Sequence, residues 1–114
     1  MATHQIPEDE WTTFFEIFTE RRKGAAVNVE VADPKRGPRM ETENQSLDSI
    51  TLGEDGVVTV SFASGTTHTV PGAKAVYHKT AAGIMSDEVN QDELVEITSG
   101  EDPPITLLHF TKPT

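Results

Sequence analysis

The feature that most constrains this chain is a change of period at Gly24. Before it, Trp11, Phe14, Phe15 and Phe18 recur at i, i+3, i+4 and i+7, the apolar stripe of an amphipathic helix. After it, Val27, Val29 and Val31 alternate with Asn28 and Glu30, the pattern of a half-buried strand. The period of 2 then recurs, interrupted by turns, to the end of the chain. One helix followed by strands restricts the fold to the α+β class.

The local signals sharpen both halves. The stripe predicts a helix from Pro7 to Lys23, with Pro7 at the first helical position, where a missing N–H costs nothing. Glu8, Asp9 and Glu10 complement the positive end of the helix dipole, and Arg21, Arg22 and Lys23 the negative end. No Ser, Thr, Asp or Asn cap precedes Pro7, and Gly24 supplies a left-handed stop. Beyond the first strand, Asp33-Pro34 and Gly37-Pro38 predict a loop. Leu47, Ile50 and Leu52 predict a strand with a bulge, because their spacing slips by one. Asp55-Gly56 marks a hairpin turn into Val58, Val60 and Phe62. Thr66 to Val70, Ala75 to Lys79, Leu94 to Thr98 and Ile105 to Thr111 read as further strands. Residues 80–92 carry no period and read as a long loop or one helical turn.

Short connections between six or seven short strands imply a mainly antiparallel sheet. A helix of ~16 residues is ~24 Å long, whereas six or seven flat strands span ~30 Å. One helix covers one face of such a sheet and not both. The expected fold is therefore one N-terminal helix packed on a strongly bent sheet, a partly open barrel or roll, within a single domain over residues 1–114. Otherwise the second face must pair with another chain.

Charge and cysteine usage bound the function. The chain has 114 residues, 19 acidic against 9 basic, and a formal net charge of −10. Residues 1–39 net −1 and residues 40–114 net −9, so the acidity belongs to the strand region, mostly in its turns. A basic footprint for nucleic acid or an anionic membrane is lacking. The basic residues cluster at Arg21-Arg22-Lys23 and at Lys35, Arg36 and Arg39, where an acidic partner would dock. With no cysteine there is no disulfide framework, thiolate metal site or cysteine nucleophile. The first residues lack a basic and then apolar leader, and no apolar run approaches ~20 residues. A cytoplasmic location is the expectation.

The residues that could carry chemistry are few. Of the four histidines, His68 and His78 lie ten apart on what read as neighbouring strands, so they are expected to be able to meet. With Tyr77 they form the one polar-aromatic cluster to consider as a ligand pocket. No carboxylate stands two residues from either histidine to complete a metal site. His109 alternates with Leu107 and Thr111 and is expected to end half-buried. No nucleophile elbow, phosphate loop or EF-hand loop occurs, and Asp87 to Asp92 reads as a solvated acidic loop. No cofactor, metal or catalytic residue is expected. The aromatic stripe reads as core more readily than as a partner-binding anchor set.

The opening Ile6, Pro7, Trp11, Phe14 and Phe15 has the form I-P-x-x-x-W-x-x-F-F. It is followed in order by Val27, Val29 and Glu30; Leu47 and Ile50; His68, Thr69 and Val70; and Leu107, Leu108 and Phe110. This succession resembles a family of short bacterial proteins of unknown function. The resemblance implies a bacterial source and brings no activity, cofactor or site residue with it. Three readings follow. The first is a non-catalytic module that binds a protein partner or itself. The second is a small-ligand or metal binder using His68, Tyr77 and His78. The third is an acidic mimic of nucleic acid that blocks a nucleic-acid-binding protein.

Overall fold

The computed structural model describes residues 2–80, 93–101 and 103–110. Among the described residues it contains one α-helix, α1 (Trp11–Arg22), and eight strands. These are β1 (Ala2–Ile6), β2 (Ala26–Asp33), β3 (Gly37–Leu52), β4 (Val58–Phe62), β5 (Thr67–Val70), β6 (Ala73–Thr80), β7 (Glu93–Ser99) and β8 (Ile105–Phe110). All pair antiparallel in one sheet, in the order β1-β6-β7-β8-β2-β3-β4-β5. The α+β class and the single N-terminal helix stand. Among the described residues the strand count of six or seven is corrected to eight, and the sheet ends at β1 and β5 without closing into a barrel. The expected loop or helical turn after Thr80 lies outside the described residues.

Three boundaries differ from expectation for physical reasons. The helix is shorter than Pro7–Lys23: Pro7 caps a 3₁₀ turn, Glu8–Glu10, and α1 begins only at Trp11. The indole N–H of Trp11 donates to the Ile6 carbonyl at 2.9 Å, which ties the helix start to β1. The helix stops as expected, with Gly24 at φ +88°, a conformation that favours glycine. β1 was not anticipated, because Thr3, His4 and Gln5 are all exposed and so carry no apolar alternation. The loop at Asp33-Pro34 is only a tight turn, and Gly37-Pro38 already begins a 16-residue strand.

That strand bends the sheet. The first half of β3 pairs with β2 and the second half with β4. Register shifts near Val29 and between Leu47 and Ser49 mark bulges, and Asn44 sits at φ +54°. Inward residues from both halves of the sheet, including Val29, Val95, Leu108, Val60 and Val70, share one core with Trp11, Phe15 and Phe18. The β3–β5 segment therefore folds over the rest of the sheet with the helix against it. Thr19 fixes this contact, its hydroxyl accepting the Ile50 N–H at 3.0 Å. Ile17 faces solvent at 59 % exposure, so the aromatic stripe, and not the whole helix, supplies the core.

Candidate functional site

Two groups of polar side chains stand out, and they differ in how completely they are partnered. The first joins α1 to β6 and β7. Glu93, the first residue of β7, alternates with Val95 and Ile97 and so points inward, leaving it 3 % exposed. Its Oε1 accepts from Arg22 Nε at 2.7 Å and also from Arg22 Nη2. Its Oε2 accepts from Arg21 Nη2 at 2.8 Å and from His78 Nε2 at 2.5 Å. Burial pushes the Glu93 carboxyl up. The hydrogen bonds from His78 and Arg22, with the charges of Arg21 and Arg22, outweigh it and bring the group down to about 2. An ionised carboxylate only accepts, so Nε2 is the nitrogen of His78 that carries the bonding proton. The rings of Phe14 and Phe18 flank the imidazole at 5.6 and 5.8 Å, and the Arg21 guanidinium lies over Phe18 at 5.3 Å.

A carboxylate held at about 2 is a poor base near neutrality. What the arrangement does is clamp the helix C-terminus to two strands. Two sequence expectations change here. Glu93 is a buried strand residue, whereas the acidity of residues 40–114 is expected mostly in turns. Arg21 and Arg22 are occupied by it, and do not stand free for an acidic partner. In the second basic cluster the Arg36 guanidinium is also engaged internally. Asp33 accepts the backbone N–H of Lys35 and Arg36 at 2.9 and 2.7 Å and Arg36 Nε at 3.0 Å. The Arg36 N–H leads the groups that hold Asp33 below its usual value, against the effect of burial.

The second group lies at the other end of the sheet order. Glu41, Thr42, Glu43 and Gln45 of β3, with Ser64 and Thr66 of the β4–β5 turn, line an open cleft of about 470 Å³. Beside it Arg39 Nη2 approaches Glu41 Oε1 at 3.9 Å. Arg39 Nε and His68 Nε2 are buried and have no hydrogen-bond partner among the described residues. Burial pulls the His68 imidazole down, partly opposed by the charge of Glu41, so His68 is neutral at pH 7.

The structure separates the three residues singled out from the sequence. His68 is on β5 and His78 on β6, and five strands stand between these two in the sheet order, so the expectation of neighbouring strands is corrected. Pro71-Gly72 separates the two strands, and they do not pair with each other: β5 pairs with β4, and β6 with β1 and β7. Tyr77 lies on the opposite face of β6 from Val76 and His78, opposite Gln5 and Glu96. His109 is half-buried. Among the described residues no group of three or more His, Asp or Glu side chains converges as a metal site. Sequence reasoning missed Glu93 and Arg22, which lie 71 residues apart. The available signal was the inward register of Glu93 with Val95 and Ile97.

A model for a family of unknown function, DUF5335, matches residues 2–114. The chain belongs to this family. An uncharacterised protein of Aquifex aeolicus (strain VF5) is 27 % identical over 87 residues, covering 75 % of this chain and 78 % of that protein. No solved structure matches the chain. Membership of the family assigns no chemistry to either polar group. No helix among the described residues is long and apolar enough to cross a membrane.

Proposed function

We propose that the protein is a non-catalytic binding module that associates through strand addition at β1, in the first instance with a second copy of itself. The observation that supports this is the chemistry of the β1 edge. Among the described residues β1 pairs on one side only, with β6. Ala2–Ile6 contains no charged residue, in a chain with 19 acidic and 9 basic ones. Free strand edges are commonly blunted by lysine, by other charges or by proline, because their unpaired N–H and C=O groups template another strand. β1 carries none of these protections, and its side chains at positions 3–5 are exposed. An edge of this kind suits β-augmentation, where main-chain hydrogen bonds supply affinity.

Light scattering on size-exclusion fractions over a concentration series tests the reading. Self-association is expected, and a Thr3→Lys, Gln5→Lys variant should run as a monomer with an unchanged circular dichroism spectrum. A wild-type chain that stays monomeric throughout, or a dimer that survives both lysines, overturns it.

A further inference from the structure

We infer that two copies pair β1 with β1 in one register, antiparallel about a two-fold axis at His4, and that the histidine row this creates makes the association depend on pH. The inference rests on the strand-addition reading and adds its register and its regulation. Three observations carry it.

The first is the length of the edge. A two-fold axis perpendicular to a sheet pairs two identical strands antiparallel, and each residue keeps its face. Opposite residues must share a face, so the axis falls on a residue and not between two. β1 has five residues, Ala2–Ile6, and Pro7 after it has no N–H to donate. Only an axis at His4 pairs all five, with Thr3 opposite the partner's Gln5 and His4 opposite the partner's His4.

The second is what already stands beside His4. On β6 its pairing residue is His78, and directly paired residues project from the same face. Across the dimer that face then carries His78, His4, the partner's His4 and the partner's His78 in one row. Neighbours in the row have Cα atoms ~4.5–5.5 Å apart. His78 Nε2 is held by Glu93 at 2.5 Å, with Arg21 and Arg22 completing that cluster, whereas His4 is exposed. Lys79 of β6 pairs with Thr3, on the opposite face. The 3₁₀ turn that follows β1 adds Glu8, Asp9 and Glu10, all exposed.

The third is that His4 is the only titratable side chain within β1. Histidine gains its charge between pH 8 and pH 5. With a neutral imidazole the strand carries no charge and its edge is open to another strand. With a charged one it carries the protection that lysine gives other edges. It also places two like charges directly opposite each other on the axis, which opposes pairing. Strand addition is therefore open at pH 8 and resisted at pH 5.5.

Two experiments on the whole chain test this. The sequence has no cysteine, so an introduced one reports the register, because a disulfide needs Cα atoms within about 7 Å. Under mild diamide oxidation at pH 8, His4→Cys should give a disulfide-linked dimer. Thr3→Cys should not crosslink to itself, since its two copies lie about 8 Å apart in this register, but should crosslink when mixed with Gln5→Cys. Light scattering should find the wild-type dimer about tenfold weaker at pH 5.5 than at pH 8. His4→Gln keeps every other titrating group and should dimerise about equally at both. A wild type that is monomeric at pH 8 removes the strand-addition reading and this inference with it. A wild type that dimerises at pH 8 leaves that reading in place, and the inference alone is then overturned by any of three results. These are His4→Cys failing to crosslink, Thr3→Cys crosslinking by itself, and a wild-type pH response that is absent or that His4→Gln retains.

Discussion

The Glu93 clamp and the Glu41 cleft are built from the same residue types and behave oppositely. In the clamp two arginines and a histidine converge on one carboxylate, and both its oxygens are occupied. Beside the cleft an arginine and a histidine stand near one glutamate, Glu41, yet a buried nitrogen of each has no hydrogen-bond partner among the described residues. The difference is where each sits. The clamp bridges a helix and two paired strands, whose positions are fixed by the shared core. The cleft spans the gap between β3 and β5, which do not pair with each other. A closed polar group stabilises a fold, whereas an open one leaves hydrogen-bonding capacity for something else.

The sharpest way to break this contrast is to remove the clamp carboxylate. Glu93→Ala removes the carboxylate to which two Arg22 nitrogens donate, with Arg22 buried at 5 % exposure, and should cost about 3–5 kcal/mol in urea unfolding. A loss below about 1 kcal/mol would place the clamp among ordinary surface pairs.

Acid titration comes next. The Glu93 carboxyl is lowered from 4.5 to about 2, so its contribution is full above 4.5 and drains away as pH falls towards 2. That window should account for about 3 kcal/mol of lost stability. Glu93→Gln should lack this component when unfolding is measured at each pH, and an identical acid profile would contradict the assignment.

Arg22→Lys keeps the charge and loses the second hydrogen bond from one guanidinium. A loss of about 1–2 kcal/mol is expected in the same unfolding assay. No loss would mean that charge alone, and not the fork geometry, matters.

The smallest effect belongs to the cleft. His68→Leu removes a buried nitrogen that has no partner, so thermal unfolding should show between no change and a gain of about 1 kcal/mol. His68 is lowered by burial, so in the wild type it binds protons more readily when unfolded. It should therefore reduce stability as pH falls below 6.5, and the leucine variant should not show that part of the decline. A large destabilisation would show that His68 is partnered after all, and would join the two regions into one class.

How much of this was legible depends on the range of the interaction. The stripe Trp11, Phe15 and Phe18 and the alternations at β2, β4, β7 and β8 were readable, because each face is set by residues two to seven apart. The bulge in β3 was readable from the slipped spacing of Leu47 and Ile50. β1 was not, since an edge strand exposed on both sides has no apolar pattern to display. Arg21 and Arg22 looked like dipole partners and a docking patch, because nothing local reveals a carboxylate 71 or 72 residues away.

By itself the sequence determined one helix, its glycine stop, an antiparallel strand region and a single inward face for most strands. Those properties follow from side-chain period, turn chemistry and short connections, all of which act over a few residues. Only the tertiary structure decided that β6 lies inside the sheet, between β1 and β7, and that β5 is an edge. It also decided that β3 serves two partners, that Glu93 and not Asp33 anchors the first basic cluster, and that His68 and His78 never share a site. Strand order and charge pairing are set by which surfaces the folded core brings together, and that choice is made across the whole chain at once.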